Sequence, residues 1–77
     1  MTTVEIEYCV PCGHLDRASD LAEHLLRTFR ERLDRVALVT GDNGVFVVRV
    51  DGERVFDIAE EEFDPDEVAR RVRERVR

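Results

Sequence analysis

The sequence predicts a small two-layer α/β domain of the α+β kind, ordered β-α-β-β-β-α. Both helices are expected on one face of a four-stranded mixed sheet. Three observations carry this expectation. A period-two run leads straight into Cys9-Val10-Pro11-Cys12, a long stripe of helical period starts at Leu15, and an Asp51-Gly52 turn divides two later strands. With 77 residues the chain is one domain, residues 1–77. A domain this small buries only about 60% of its unfolded surface, so its core is thin and any chemistry lies near the surface.

Each element has its own signature. Val4, Ile6 and Tyr8 alternate with Glu5 and Glu7, the pattern of a half-buried strand, and core packing is the default role of Tyr8. Pro11 has a backbone angle suited to a first helical turn. Leu15, Ala18, Ala22, Leu25, Phe29 and Leu33 recur at steps of three and four and predict an amphipathic helix. Asp16 and Asp20 near its start, and Arg27, Arg30, Arg32 and Arg35 toward its end, complement the helix dipole.

Residues 36–40 read as a second strand, ended by Gly41-Asp42-Asn43-Gly44. Residues 45–50 form a third, apolar on both faces, and Val55, Phe56 and Ile58 a short fourth. Glu60-Glu61-Glu62 reads as a solvated loop. Asp64 as N-cap, Pro65 at the first helical position and Glu67 three after the cap announce the last helix as a capping box. Val68, Val72 and Val76 form its apolar stripe, with Arg70, Arg71, Arg73, Arg75 and Arg77 around it as a solvated face. The first β-α-β unit is expected to be a parallel crossover.

Charge and composition narrow the function. All 12 basic residues are Arg and face 18 acids, for a net charge of −6. Such a surface repels phosphate backbones, so no nucleic-acid partner is expected. A Lys-free acidic composition fits adaptation to high salt and equally a GC-rich genome. The longest apolar run, Val45-Phe46-Val47-Val48, is far short of a membrane span, and acids stand where an export signal needs basic and then apolar residues. The expectation is a soluble, cytoplasmic protein with no membrane partner.

Two cysteines in a cytosolic setting, too close in sequence to staple the fold, point to redox or metal chemistry. At a strand-to-helix junction Cys9 and Cys12 can close a disulfide with little backbone movement. A helix N-terminus there favours the thiolate. Zinc would need four ligands, and Cys9, Cys12, His14 and His24 are the candidates. His24 falls two to three helical turns beyond the pair, so the chain is expected to carry no cofactor and no metal of its own, unless a dimer shares a site. A structural pair of buried cysteines is the remaining alternative. His14, after Gly13, is able as an imidazole to assist proton transfer. The simpler reading makes it a solvated first-turn residue, and His24 a surface one.

These residues resemble the selenoprotein W-type proteins of the Rdx family, in a cysteine-only form. The resemblance rests on Val4-Glu5-Ile6-Glu7-Tyr8-Cys9-Val10-Pro11-Cys12-Gly13 and on Gly44-Val45-Phe46-Val47-Val48-Arg49-Val50-Asp51-Gly52-Glu53 with Val55-Phe56. It implies a minimal thioredoxin-like fold with sheet order 2-1-3-4. Residues 41–44 would then cross the end of the first strand near the cysteines, where periodicity alone favours a simple hairpin.

The resemblance also implies a thiol–disulfide site at Cys9 and Cys12, supported by Pro11, Gly13 and His14 and acting on a thiol-containing protein or a small thiol. It does not by itself imply turnover as an enzyme. Selenium-containing members carry selenocysteine at the position of Cys12, whereas ordinary thioredoxins attack with the cysteine matching Cys9. The sequence therefore leaves the attacking sulfur open. No proline lies between Thr40 and Val45 to match the one that faces the thioredoxin disulfide. The stretch Glu61-Glu62-Phe63-Asp64-Pro65 is one residue longer than the family's usual Gly-rich Phe-Pro segment. A second use of the chain is as an interaction module or homodimer, through an apolar patch on the uncovered sheet face.

Overall fold

A computed structural model describes residues 2–76. The elements are β1 (Thr3–Cys9), α1 (Leu15–Phe29), β2 (Arg35–Gly41), β3 (Phe46–Val50), β4 (Glu53–Asp57) and α2 (Pro65–Arg73). They form one four-stranded sheet of order β2-β1-β3-β4. β1 runs parallel to β2 and antiparallel to β3, and β4 is antiparallel to β3. The periodic hairpin between β2 and β3 does not form, because β1 occupies the place between them.

Val4, Ile6 and Tyr8 of β1 and Phe46, Val48 and Val50 of β3 point to the helix-covered face. There they meet Ala18, Leu21, Leu25 and Phe29 of α1 and Val68, Ala69 and Val72 of α2 in one core. Phe46, Phe56 and Phe63 pack edge to face, with centroids 5.1 to 6.0 Å apart. Thr2 is buried and ties the two parallel strands together: its N–H donates to Asp34 Oδ2 at 2.7 Å, and its carbonyl accepts from the Asp34 N–H at 2.9 Å.

Four sequence expectations are corrected. α1 stops at Phe29, and Leu33 joins the core only after a single 3-10 turn over Arg30–Arg32. The stripe of α1 runs through Leu21, while Leu15, in the first turn, stays 49% exposed. In α2 the Asp64 side chain accepts from the Asp66 N–H at 3.0 Å, but Glu67 does not return the bond. Arg70 and Arg71 draw its carboxylate outward instead, with Arg71 Nε 2.9 Å from Oε2. The last residue placed on the α2 face, Arg77, lies outside the described residues, as does Met1.

The uncovered sheet face is the fourth correction. Val47 is the residue that β3 adds to its apolar surface, and it is only 6% exposed. Its cross-strand neighbours are Glu7 and Asp57, and Arg49 pairs with Glu7 at 3.1 Å. The face therefore alternates charge with small apolar patches. The exposed large apolar residues of the sheet, Leu38 and Val39, lie on the edge strand β2.

Candidate functional site

β1 ends at Cys9, and the turn after it decides the site. Val10-Pro11-Cys12-Gly13 make this turn, in which the Gly13 N–H donates to the Val10 carbonyl at 3.4 Å. Pro11 presets the second turn position, and Gly13, at φ +82°, adopts a conformation that other residues resist. Because the chain reverses there, α1 begins only at Leu15, with His14 as its N-cap. Pro11 is thus a turn residue and lies outside the first helical turn. Cys12 stands two residues ahead of the N-cap, so the helix dipole acts on it from outside the helix.

Cys9 and Cys12 form a disulfide, with Cα atoms 5.4 Å apart, within the range a bridge spans without backbone movement. The two positions differ sharply in access: Cys9 is 0% exposed, whereas Cys12 is exposed at the turn. The connection between β2 and β3 clamps the buried one from above. The Cys9 N–H donates to the Val45 carbonyl at 2.7 Å, and the Val10 N–H to the Gly41 carbonyl at 3.4 Å. A tight turn closes this crossover, with Asn43 and Gly44 both at positive φ and the Val45 N–H donating to the Asp42 carbonyl at 3.2 Å.

His14 is half-buried, with its ring edge-on to Phe46 at 5.5 Å, so it is a packed residue beneath the turn and not a solvated one. Its side chain makes no capping hydrogen bond. His24 lies along α1 with Nε2 3.9 Å from Asp66 Oδ1. Among the described residues no group of three or more His, Cys, Asp or Glu is placed to hold a metal ion. No helix of the described chain is long and apolar enough to cross a membrane.

The sequence pattern did not single out Val45, whose carbonyl holds Cys9, or Phe46 as the floor under His14. Gly41 it marked only as part of a turn. The need for glycine at position 41 shows only in the packing. A Cβ there would meet Val45 Cγ1 at 2.7 Å, and only glycine avoids that contact at a position whose φ needs no glycine.

A β-α-β-β-β-α sheet with a bridged Cys-x-x-Cys at the C-terminal end of its central strand defines a small redox protein of thioredoxin-like build. The chain belongs to the Rdx family, whose model matches residues 3–74. It is similar to a crystal structure from Bordetella parapertussis, at 34% identity over 96% of each chain and a TM-score of 0.90. It is also similar to a selenoprotein W-related protein from Vibrio cholerae, at 27% identity over 99% of this chain and 98% of that one, with a TM-score of 0.93. No curated protein matches the chain.

Proposed function

We propose that this chain is a cytoplasmic thiol–disulfide exchange protein in which Cys12 attacks and Cys9 resolves. The observation that carries this reading is the contrast in access, with Cys12 at an exposed turn and Cys9 wholly buried under the crossover loop. Only an accessible sulfur can align with a partner disulfide.

In the reducing direction the Cys12 thiolate attacks one sulfur of a partner disulfide. A mixed disulfide forms, and the partner's other sulfur leaves as a thiolate that takes up a proton. The Cys9 thiolate then attacks the Cys12 sulfur, closing the Cys9–Cys12 bridge and releasing the second partner thiol. The partner gains two electrons and this chain loses two. A small dithiol or a pair of monothiols returns them by the reverse exchange. Pro11 and Gly13 shape the turn that presents Cys12, and His14 seats it on Phe46. Val10 and Leu15, 47% and 49% exposed on either side of Cys12 in the chain, favour a protein surface as partner over a free small thiol.

Trapping tests the assignment. Reduced Cys9→Ser protein, offered a disulfide-containing peptide, should accumulate a mixed disulfide at Cys12 detectable by mass spectrometry. Cys12→Ser protein should accumulate roughly tenfold less, because its remaining thiol is buried. Equal capture by the two variants would overturn the role of Cys12. If the unmodified chain does not close its bridge on mild oxidation, the exchange reading fails altogether.

A further inference from the structure

A groove of about 570 Å³ opens at Gly13, the residue after Cys12, and runs between α1 and the start of α2. One wall is a single face of α1, with Asp16, Asp20 and His24 at successive turns and Gly13 in the turn that precedes the helix. The other is Phe63 and Asp66, with Leu21 at the base. From Asp16 to His24 this wall rises about 12 Å, the length of about four residues of extended chain. Gly13 lines its near end, so the groove starts one residue from Cys12, within reach of a segment joined to that sulfur.

The charge of the groove is one-sided. Asp16 and Asp20 form no ion pair among the described residues, and Asp66 is 91% exposed with only His24 nearby at 3.9 Å. The groove's guanidinium, that of Arg17, lies over the Phe63 ring of the second wall at 5.3 Å. Besides His24, the lining carries three carboxylates against one guanidinium. We infer that this groove is the docking site for the partner segment flanking the reactive cysteine, and that it selects an extended segment with Arg or Lys beside an apolar residue. The inference rests on the exchange function proposed for Cys12 and names its substrate class. Anionic thiols such as glutathione fit this lining poorly, because three carboxylates repel them.

Two disulfide-blocked pentapeptides, identical except for two Arg or two Glu flanking the cysteine, separate the possibilities. The reduced full chain should react with the Arg peptide about tenfold faster or more at low salt, and the preference should largely collapse in about 1 M salt. The double substitution Asp16→Asn with Asp20→Asn should remove most of the preference. Glu31→Gln, a change of like sign in the 3-10 turn outside the groove, should leave it intact. Equal rates for the two peptides, or equal loss in the Glu31→Gln protein, would overturn the groove while leaving exchange at Cys12 standing.

No exchange with either peptide would overturn the redox reading instead. The groove is then judged on its own by amide chemical shifts with the Arg peptide carrying Ser for Cys. Shifts confined to residues lining the groove support it, and shifts elsewhere or none overturn it.

Discussion

Gly41 shows how much of the site depends on one missing side chain. It pairs with Cys9 across β1 and β2, and its carbonyl accepts from the Val10 N–H. A methyl group there would press on Val45 Cγ1 at 2.7 Å and on Glu7 Oε2 at 3.1 Å. Val45 is the residue whose carbonyl holds the Cys9 N–H, so the displacement is carried to the buried cysteine. Gly41→Ala should destabilise the fold by about 1–3 kcal/mol, the usual range for overpacking. Cys9 in the reduced variant should also become faster to alkylate. Urea denaturation and timed alkylation measure the two, and a variant as stable and as slow as the parent would contradict the account. The spacing of Cys9 and Cys12 was plain in the sequence. Their unequal access was not, because it comes from a loop more than thirty residues further along.

At the scale of elements, the two helices end differently from their periodicity. The stripe from Ala18 to Phe29 is legible as a helix, yet nothing in it marks the stop at Arg30, which adopts φ +52° and ψ −130°. Glycine is the residue expected there, and an Arg is strained. Its N–H still donates to Leu26 and its carbonyl still accepts from Leu33, so the turn is held by its neighbours. Arg30→Gly should raise stability by about 1 kcal/mol, read as a higher midpoint in thermal or urea unfolding. A drop would place the strain elsewhere.

In α2 the capping pattern was legible and the fate of Glu67 was not, since Arg70 and Arg71 compete for it. Hydrogen bonds from Arg70 first, and then from Arg71, hold the Glu67 carboxyl down from 4.5 to about 2. Arg75 lowers Glu53 and Arg71 lowers Glu61 in the same direction. A depressed carboxylate favours the folded state when ionised. Its contribution is complete above pH 4.5 and disappears as the pH falls through about 2. The groups are exposed, so solvent screens the contribution. Carboxyl NMR should place the Glu67 midpoint near 2, and Glu67→Gln should flatten the acid limb of the stability curve. A Glu67 titration at an ordinary carboxylate position would remove these ion pairs from the account of α2.

For the whole molecule, sheet order was the property that local pattern got wrong and family resemblance got right. Alternation along residues 36–40 and 45–50 carries no information about whether β1 lies between them. That is decided by burial: β1, with Val4, Ile6 and Cys9 all at 0% exposure, needs a neighbour on each side, and β2, with Leu38 and Val39 exposed, tolerates the edge. The same arrangement builds the core cluster without either cysteine. One core spans β1, β3, β4 and both helices, and Tyr8, next to the buried Cys9, belongs to it. The Cys9–Cys12 bond, at a sequence separation of 3, closes only a very short loop.

Closing a loop that short removes little chain entropy, so reduction should cost about 2 kcal/mol or less. A protein that cycles between dithiol and disulfide needs this property, because each turnover passes through the unbridged chain. The reduced protein should keep the strand and helix signals of the oxidised one by circular dichroism. Its amide NMR shifts should change only around residues 9–14 and in the crossover loop at residues 41–45, which the Cys9 backbone touches. General loss of dispersion on reduction would mean that the bridge is structural, and Cys12 would then be exposed as one end of a staple rather than as an attacking thiol.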